Sequence, residues 1–193
     1  MVSAAPIGLG SLCWGSVRHA QTLSFLHLLE VPTVSQDPKI ERVVEAGAAA
    51  GLEVRPVTFS QETRTAVDAA REVGCELGQI VKSLVFQADQ ESLLFLMSGA
   101  NRLDTGKATA AAGVGSLTKA DAARAKEATG YSIGATPPFG HAHRLRMFMD
   151  EDLLAYDEVW AAAGRPDSVF AVAPQPLASA TGAIVCSLAV TSI

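Results

Sequence analysis

Apolar residues recur along the chain with two different periods. Spacing of three or four positions predicts amphipathic helices, whereas alternation over a short run predicts half-buried strands. Capping residues, prolines and glycines mark where these elements begin and end. Helical spacing occurs at 37–51, 65–74, 104–112, 118–129 and 174–182, with a short helix capped by Asp150. Strand patterns occur at 52–59, 80–87, 92–97, 144–149, 168–172 and 184–190.

The order of these elements predicts the fold class. The runs at 80–87 and 92–97 are separated by a short polar segment that contains Asp89, which predicts a β-hairpin. Pro56 has no backbone N–H, so the 52–59 run is expected at a sheet edge. Helices and strands intermix without a regular β-α-β rhythm. We therefore expect an α+β fold with a mixed sheet flanked by helices, rather than a doubly wound parallel sheet.

The chain divides into two parts by pattern. Residues 1–36 are rich in glycine, serine and apolar residues and have no clear period, so the sequence gives this N-terminal extension no role. Regular patterning begins at Asp37 and continues to the end of the chain. We therefore expect the folded domain to span 37–193.

Lys82 interrupts an apolar strand face. Alternation places Lys82 on one face of its strand and Ser83 on the other. The other residues on the face of Lys82 are Ile80, Leu84 and Phe86. An ammonium at this position needs an anion or water, and a charge-assisted hydrogen bond to a phosphate is worth about 1.5–3 kcal/mol. A bound anion and a side chain that reaches solvent at the strand end both account for this lysine.

The segment 131–140 contains too many glycines and prolines for a helix or strand and predicts an ordered loop. Gly134 and Gly140 allow close approach of the backbone, and Pro137 and Pro138 stiffen the chain between them. A plain structural turn explains the composition. A functional use would be a rigid row of backbone N–H and C=O groups that face a polar ligand.

Composition and charge exclude several classes of protein. The 193 residues are 49% hydrophobic and 18% charged, which excludes intrinsic disorder, and no 18-residue apolar run predicts a membrane span. The net charge of −5 argues against non-specific wrapping of nucleic acid by the whole surface. Residues 101–146, however, carry seven basic and three acidic side chains. This region would let one face dock a polyanion, although a solvated helix surface also explains it.

The cysteines and histidines give no sign of a metal centre. Cys13, Cys75 and Cys186 are odd in number and widely spaced, which favours neither a disulfide framework nor a zinc site. His141 and His143 would need a third ligand from elsewhere to hold zinc. We expect a cytoplasmic protein without a metal.

A serine-hydrolase motif lacks its usual context. Gly130-Tyr-Ser132-Ile-Gly134 matches G-x-S-x-G, in which the serine is the nucleophile. Two prolines follow closely and prevent a helix from starting behind the serine. No histidine follows Asp150, so the order Ser, Asp or Glu, His cannot be formed. This reading predicts that a fluorophosphonate probe labels Ser132, and we expect no labelling.

Three longer motifs occur in order and with sensible spacing. They are Thr63-Arg-Thr-Ala66 with Gly78-Gln-Ile-Val-Lys-Ser-Leu-Val-Phe86, then Thr129-Gly-Tyr131 with Gly134–Gly140, and finally Phe148-Met-Asp150. Together they resemble the YbaK/EbsC family, which includes free-standing and synthetase-appended aminoacyl-tRNA editing domains. The resemblance implies a barrel-like mixed sheet with flanking helices. It also implies trans-editing hydrolysis, without a cofactor, of the ester that joins a wrong amino acid to the 3′ adenosine of tRNA.

The resemblance also implies the site residues. The family's essential lysine falls on Lys82, which would act in catalysis by holding the terminal phosphate or ribose of the substrate. Ser83 stands where many members have a hydroxyl, and Phe59 and Gly164 complete the substrate-binding set. The loop whose backbone would grip the aminoacyl adenosine comprises Gly134, Ala135, Thr136, Pro137 and Pro138.

Three positions depart from the pattern of cysteinyl-prolyl-tRNA deacylases. Phe59 replaces a tyrosine, Ala162 a serine and Val169 an aspartate. The resemblance therefore leaves open whether cysteine or a related small amino acid is removed. It implies the 3′ acceptor end of aminoacyl-tRNA as a partner, and prolyl-tRNA synthetase as a candidate partner. The alternative is a non-catalytic module that binds aminoacyl-tRNA or a nucleotide.

Overall fold

The structure, a computed structural model, describes residues 37–60 and 65–190. Within those residues the α-helices are α1 (Pro38–Ala49), α2 (Ala66–Val73), α3 (Thr105–Ala112), α4 (Ala122–Thr129) and α5 (Pro174–Thr181). The strands there are β1 (Val57–Thr58), β2 (Val81–Ala88), β3 (Glu91–Ser98), β4 (Thr118–Lys119), β5 (Arg146–Asp150), β6 (Val159–Ala162), β7 (Ser168–Val172) and β8 (Ile184–Cys186). The N-terminal extension at 1–36 lies outside the described residues, as do Thr63 and Arg64 of the first motif.

Local signals set the helix boundaries. The carboxylate of Asp37 accepts a hydrogen bond from a backbone N–H in the first turn of α1, and Pro38 begins that helix. Thr65 and Asp68 form a capping box at the start of α2. Gly74 ends α2 in the left-handed conformation, with φ of 73°. These observations confirm the helices predicted at 37–51 and 65–74.

Two sheets make up the β structure of the described residues. In the five-stranded sheet, of order β4-β2-β3-β5-β8, β2 pairs antiparallel with β3 and β4, whereas β3–β5 and β5–β8 are parallel. In the three-stranded sheet, of order β1-β7-β6, the pairs are antiparallel. A bridge between Ile80 and Trp160 connects the two sheets. The predicted hairpin and the α+β fold with a mixed sheet are confirmed.

The five-stranded sheet has an apolar core on each face. Val85 and Leu94 face a core shared with α1 and β7. Phe86, Phe95 and Phe148 face a second core, where α3 covers the sheet. The rings of Phe95 and Phe148 stack with centroids 5.2 Å apart. Strand alternation therefore sends neighbouring residues of β2 into different cores, as its sequence pattern predicts.

The helix predicted at 118–129 begins later in the structure, so the prediction is wrong for its first turn. Asp121 caps α4 by accepting a hydrogen bond from the N–H of Arg124, so the helix begins at Ala122. The preceding segment, Thr118–Lys119, instead pairs with β2 as strand β4. Lys119 therefore belongs to a sheet edge and not to a helix surface.

Other strand predictions are correct in place but not in length. The 52–59 run forms a strand only at Val57–Thr58, at a sheet edge as Pro56 predicts. The 184–190 run forms a strand only as far as Cys186. Strand β6 has no counterpart among the predicted elements, because its alanines are poor strand formers.

Candidate active site

A cavity of about 190 Å³ lies beside the edge of β2. Strand β4 pairs with β2 only at Phe86 and Gln87, so no strand of the five-stranded sheet covers this edge at Lys82 and Ser83. The carbonyl of Val85 accepts a hydrogen bond from the N–H of Ala120 on that side. Because backbone groups alternate in direction along a strand, those of Ser83 point to the same side. The other walls come from α2, the 131–140 loop, β6 and β7.

Lys82 is half-buried at the border of this cavity. Its ammonium donates hydrogen bonds to the carbonyl oxygens of Gly99, at 3.0 Å, and Asn101. An ammonium has three donors, so one remains for a ligand. Burial lowers the pKa of Lys82, and the charge of Asp150 opposes that shift. Lys82 thus presents an anchored positive charge, and it lies on the same strand face as Leu84 and Phe86, as predicted.

A buried carboxylate lies behind Lys82. The side-chain amide of Asn101 donates to carboxylate oxygens of Asp150, at 2.7 Å, and Asp152, at 2.6 Å. Asp150 is fully buried, and burial raises the pKa of its carboxyl group. Asn101 therefore joins the lysine to a carboxylate through its backbone and side chain. Asp150 stands at the N-cap position of the 3₁₀ turn Glu151–Ala155, as predicted, but its side chain makes no capping hydrogen bond to that turn. The predicted capping role of the side chain is therefore wrong.

The 131–140 loop is ordered by its own contacts. The hydroxyl of the fully buried Tyr131 donates to the carbonyl of Gly140 at 3.2 Å and closes the loop. The N–H of Ala135 donates to the carbonyl of Ser132 at 3.0 Å. The Nε2 atom of His141 lies 2.8 Å from the carbonyl of Pro137, and burial lowers the pKa of this histidine. These contacts confirm an ordered loop without helix or strand.

Several polar groups at the cavity lack partners. Within 37–60 and 65–190, the backbone N–H groups of Gly134 and Thr136 donate no hydrogen bond. The hydroxyl of Ser83 is buried and also has no partner there. Gly134 is exposed, so its N–H can donate to water, whereas a buried polar group without a partner, such as the Ser83 hydroxyl, costs about 1–3 kcal/mol. All three residues line the cavity, and these groups are its candidate hydrogen-bonding groups for a polar ligand.

Comparison with models of protein families identifies the family of this chain. The family model for aminoacyl-tRNA editing domains matches residues 60–180, which is more than half of the chain. The chain belongs to the aminoacyl-tRNA editing domain family. This membership confirms the resemblance inferred from the three motifs. It also confirms the predicted activity class, aminoacyl-tRNA deacylation.

Solved structures and a bacterial relative resemble this editing domain. A candidate trans-editing enzyme for prolyl tRNA synthetase is 46% identical, and the match covers 81% of this chain and 100% of that one, with a TM-score of 0.77. A scaffold protein from computational epitope backbone grafting is 44% identical over 80% of this chain and 99% of that one, also with a TM-score of 0.77. The uncharacterized protein YwhH of Bacillus subtilis strain 168 is 28% identical over 120 residues, 62% of this chain and 76% of its own.

The cavity of the editing domain contains four of the predicted site residues. Its lining includes Lys82, Ser83, Gly134 and Thr136. The loop residues Ala135, Pro137 and Pro138 are buried but do not line the cavity. Their direct contact with substrate stays a prediction.

Phe59 and Gly164 also lie outside the cavity lining. The backbone N–H of Phe59 donates to the carbonyl of Asp167 at 2.7 Å. Gly164 has a φ of 94°, and an added Cβ would lie 2.8 Å from the carbonyl oxygen of Lys39 and 3.0 Å from the ring of Tyr131. Glycine is therefore required at 164 by close packing. Substrate contact by either residue stays a prediction.

Sequence reasoning missed part of the cavity wall. Trp160, Ile133 and Arg165 line the cavity, together with the departure positions Ala162 and Val169. Trp160 and Ala162 lie on β6, the strand without a predicted counterpart. Burial alternates along this strand, since Val159 and Ala161 are fully buried whereas Trp160 and Ala162 are not, but all four residues are apolar, so the sequence itself shows no alternation there.

Arg165 is not free to bind an anion. Its guanidinium donates to both carboxylate oxygens of Asp167, at 2.8 and 2.7 Å, and to Asp37 at 2.7 Å. The arginine lowers the pKa of both carboxyl groups, chiefly through these hydrogen bonds. The remaining cation at the cavity, within the described residues, is Lys82.

The cavity offers binding groups without an acid or base. Among the described lining residues there is no histidine, cysteine, aspartate or glutamate. Residues 37–60 and 65–190 contain no cluster of three metal-ligating side chains and no helix long and apolar enough to cross a membrane. Ser132 is exposed and does not line the cavity. The lining therefore offers a substrate hydroxyl groups, backbone groups and the ammonium of Lys82.

Proposed function

We propose that this editing domain hydrolyses, in trans, the ester of tRNAPro that carries cysteine or a related small amino acid. One observation carries the proposal: Lys82, whose ammonium is anchored, and Gly134 and Thr136, whose N–H groups have no partner in the described residues, line one cavity. The 46% identity to a candidate trans-editing enzyme for prolyl tRNA synthetase supports tRNAPro as the substrate. Prolyl-tRNA synthetase is the corresponding candidate partner.

In the proposed reaction, water adds to the ester carbonyl carbon and the bond to the ribose oxygen breaks. One proton of the water goes to the ribose oxygen, which leaves as a hydroxyl, and the other goes to solvent as the amino acid leaves as a carboxylate. The N–H groups of Gly134 and Thr136 stabilise the negative charge that develops on the carbonyl oxygen. Lys82 holds the phosphate or ribose of the tRNA end. Because an aminoacyl ester is already activated, positioning supplies much of the rate and no general base is required.

The cavity walls favour a small substrate side chain. Ala69, Ala162 and Val169 come from three different elements and, with Trp160, leave a cavity of about 190 Å³. A synthetase distinguishes poorly between amino acids that differ by one or two methyl groups, so a second site must remove such errors. A small pocket with a free hydroxyl, that of Ser83, suits cysteine or another small polar amino acid.

Deacylation of a panel of mischarged tRNAs tests this proposal. We expect the wild type to hydrolyse cysteine or another small amino acid on tRNAPro fastest. Lys82→Ala should lower kcat/KM on that tRNA by about 10- to 150-fold, which corresponds to the loss of one charge-assisted hydrogen bond of about 1.5–3 kcal/mol. Lys126→Ala is the matched control, because Lys126 is exposed on α4 and lies outside the cavity.

Two results would contradict the proposal. Equal rates for Lys82→Ala and Lys126→Ala would show that Lys82 does not bind the substrate. A wild-type protein that binds a non-hydrolysable aminoacyl-adenosine tightly, but hydrolyses no tRNA of the panel, would be the non-catalytic binding module instead.

A further inference from the structure

A groove of about 620 Å³ adjoins the cavity and takes no part in the proposed reaction. It lies over the face of β2 that carries Lys82, Leu84 and Phe86. Strand β4 forms one side, and the segment after β3, residues 101–105, forms the other. Its volume falls within the range of about 300–1,000 Å³ that is typical of ligand sites.

The groove and the cavity adjoin at Lys82 and Leu84, which line both. A smaller recess of about 50 Å³ lies next to both. Lys119 borders this recess and the groove, whereas Ser83 and Thr136 border the recess and the cavity. The groove is therefore next to the cavity, on the side where a ligand held by Lys82 would extend.

The groove is positively charged. Arg102 and Lys119 line it and are exposed, and neither forms an ion pair or a side-chain hydrogen bond within the described residues. The described groove lining contains no acidic residue. The nearby carboxylate of Asp104 is occupied, because it accepts hydrogen bonds from the N–H groups of Gly106 and Lys107 at the start of α3.

Two of the other basic residues of 101–146 are paired. Arg124 forms an ion pair with Glu127 at 3.3 Å, and Arg146 with Glu91 at 3.0 Å. Lys126 and Arg144 form no ion pair within the described residues but lie outside the groove, so Arg102 and Lys119 are the unpaired cations that line the groove beside Lys82. Between them the floor is apolar and consists of Leu84, Phe86, Leu103 and Leu117.

Single-stranded nucleic acid sites generally combine a positively charged groove that follows the phosphates with aromatic side chains on which bases stack. This groove has the cations and one aromatic residue, Phe86, among leucines in its floor. Resting on the proposed function, we propose that this groove binds the sugar–phosphate chain at the single-stranded 3′ end of the tRNA. Arg102 and Lys119 contact the phosphates, and Lys82 lies where the chain enters the cavity.

The test compares two substrates of the wild-type chain and its variants. One is the mischarged tRNA that the wild type hydrolyses fastest. The other is the aminoacyl-adenosine of the same amino acid, which has no phosphate. We expect Arg102→Ala and Lys119→Ala each to lower kcat/KM on the tRNA about 5- to 10-fold, mainly through KM. The slope of log kcat/KM against log salt should become shallower by about 0.7 for each lost phosphate contact.

Three controls separate this role from a structural one. Hydrolysis of the aminoacyl-adenosine should change less than twofold in both variants. Arg102→Lys and Lys119→Arg should retain most of the tRNA activity, because the charge is kept. Lys126→Ala removes the same charge outside the groove and should behave as the wild type.

Two results would contradict the proposal that the groove binds the 3′ end of the tRNA. One is an equal loss on the tRNA and on the aminoacyl-adenosine. The other is tRNA kinetics in Arg102→Ala and Lys119→Ala that match those of Lys126→Ala. Failure of the proposed function is recognised separately, because the wild type would then hydrolyse neither substrate.

Discussion

Lys82, Ser83 and Asp150 are polar side chains of the five-stranded sheet, and each has a different set of partners. Lys82 donates to two carbonyl oxygens and keeps one donor. Asp150 is buried behind it, and one carboxylate oxygen accepts from Asn101 while the other has no partner in the described residues. Ser83 has no partner in the described residues. These differences separate the residues in their expected roles, because a paired group stabilises the fold and an unpaired one awaits a ligand.

Asp150 is expected to set the pH range in which Lys82 is charged. Its negative charge raises the pKa of Lys82 against the effect of burial. Asp150→Asn removes that charge, so the pKa of Lys82 falls and the ammonium is lost at a lower pH. If the ammonium holds the substrate, the alkaline limb of the kcat/KM profile should shift to lower pH.

Asp152→Asn is the matched control for this shift. Asp152 also accepts a hydrogen bond from Asn101 but is exposed, and its charge does not contribute to the pKa shift of Lys82. The profile is measured after subtraction of uncatalysed ester hydrolysis. The prediction would be contradicted if the alkaline limb of the Asp150→Asn profile stayed at the wild-type pH. It would also be contradicted if the limb moved equally in Asp150→Asn and Asp152→Asn.

Ser83→Ala should affect binding and not folding. The hydroxyl of Ser83 is buried without a partner, so its removal should leave Tm unchanged or slightly higher. If the hydroxyl binds the substrate, KM should rise about tenfold, as expected for the loss of one hydrogen bond of about 1.4 kcal/mol. Ser132→Ala, in an exposed residue outside the cavity, should change neither quantity. A lower Tm with unchanged KM would show that Ser83 stabilises the fold and does not bind the substrate.

At the scale of elements, the 131–140 loop and the glycine that follows β6 are positioned by packing. Tyr131 closes the loop through Gly140 and also touches the position where Gly164 would carry a Cβ. Gly164 in turn packs on the carbonyl of Lys39 in α1. The loop that supplies N–H groups to the cavity is therefore supported by α1 and by the turn before β7.

Gly164→Ala should destabilise this support. The residue has a φ of 94°, and its Cβ would be too close to the backbone of Lys39, so we expect a loss of about 1–3 kcal/mol in the free energy of unfolding. Gly182→Ala provides the control, because its φ of 64° is also left-handed but no atom lies within 4 Å of the added Cβ. Denaturant unfolding measures both. An equal loss in the two variants would show that backbone strain alone, and not packing, requires glycine at 164.

At the scale of the whole molecule, the site forms where the two sheets meet. Ile80 and Trp160 bridge them, and the cavity opens beside that bridge, where β4 leaves part of β2 unpaired. The short β4 also brings Lys119 next to the site. A net charge of −5 thus coexists with a locally basic groove, which favours one orientation of a polyanion over general attraction.

The sequence by itself determined the α+β class, the ends of α1 and α2, the β2–β3 hairpin and the face on which Lys82 lies. These features depend on residues near one another in the chain, such as Thr65 with Asp68, or on strict alternation. The three motifs also identified the family, which the match at 60–180 confirms. Short-range chemistry was sufficient for each of these conclusions.

Only the tertiary structure decided which residues share the cavity. Trp160 and Arg165, which line the cavity, come from segments distant from Lys82 in the chain, as does Asn101, whose carbonyl accepts from Lys82, and no local pattern relates them to it. The conversion of Thr118–Lys119 from helix to strand likewise depends on pairing with β2. Long-range packing sets these neighbours, because a side chain's partners across a sheet or between two sheets depend on topology and not on its position in the sequence.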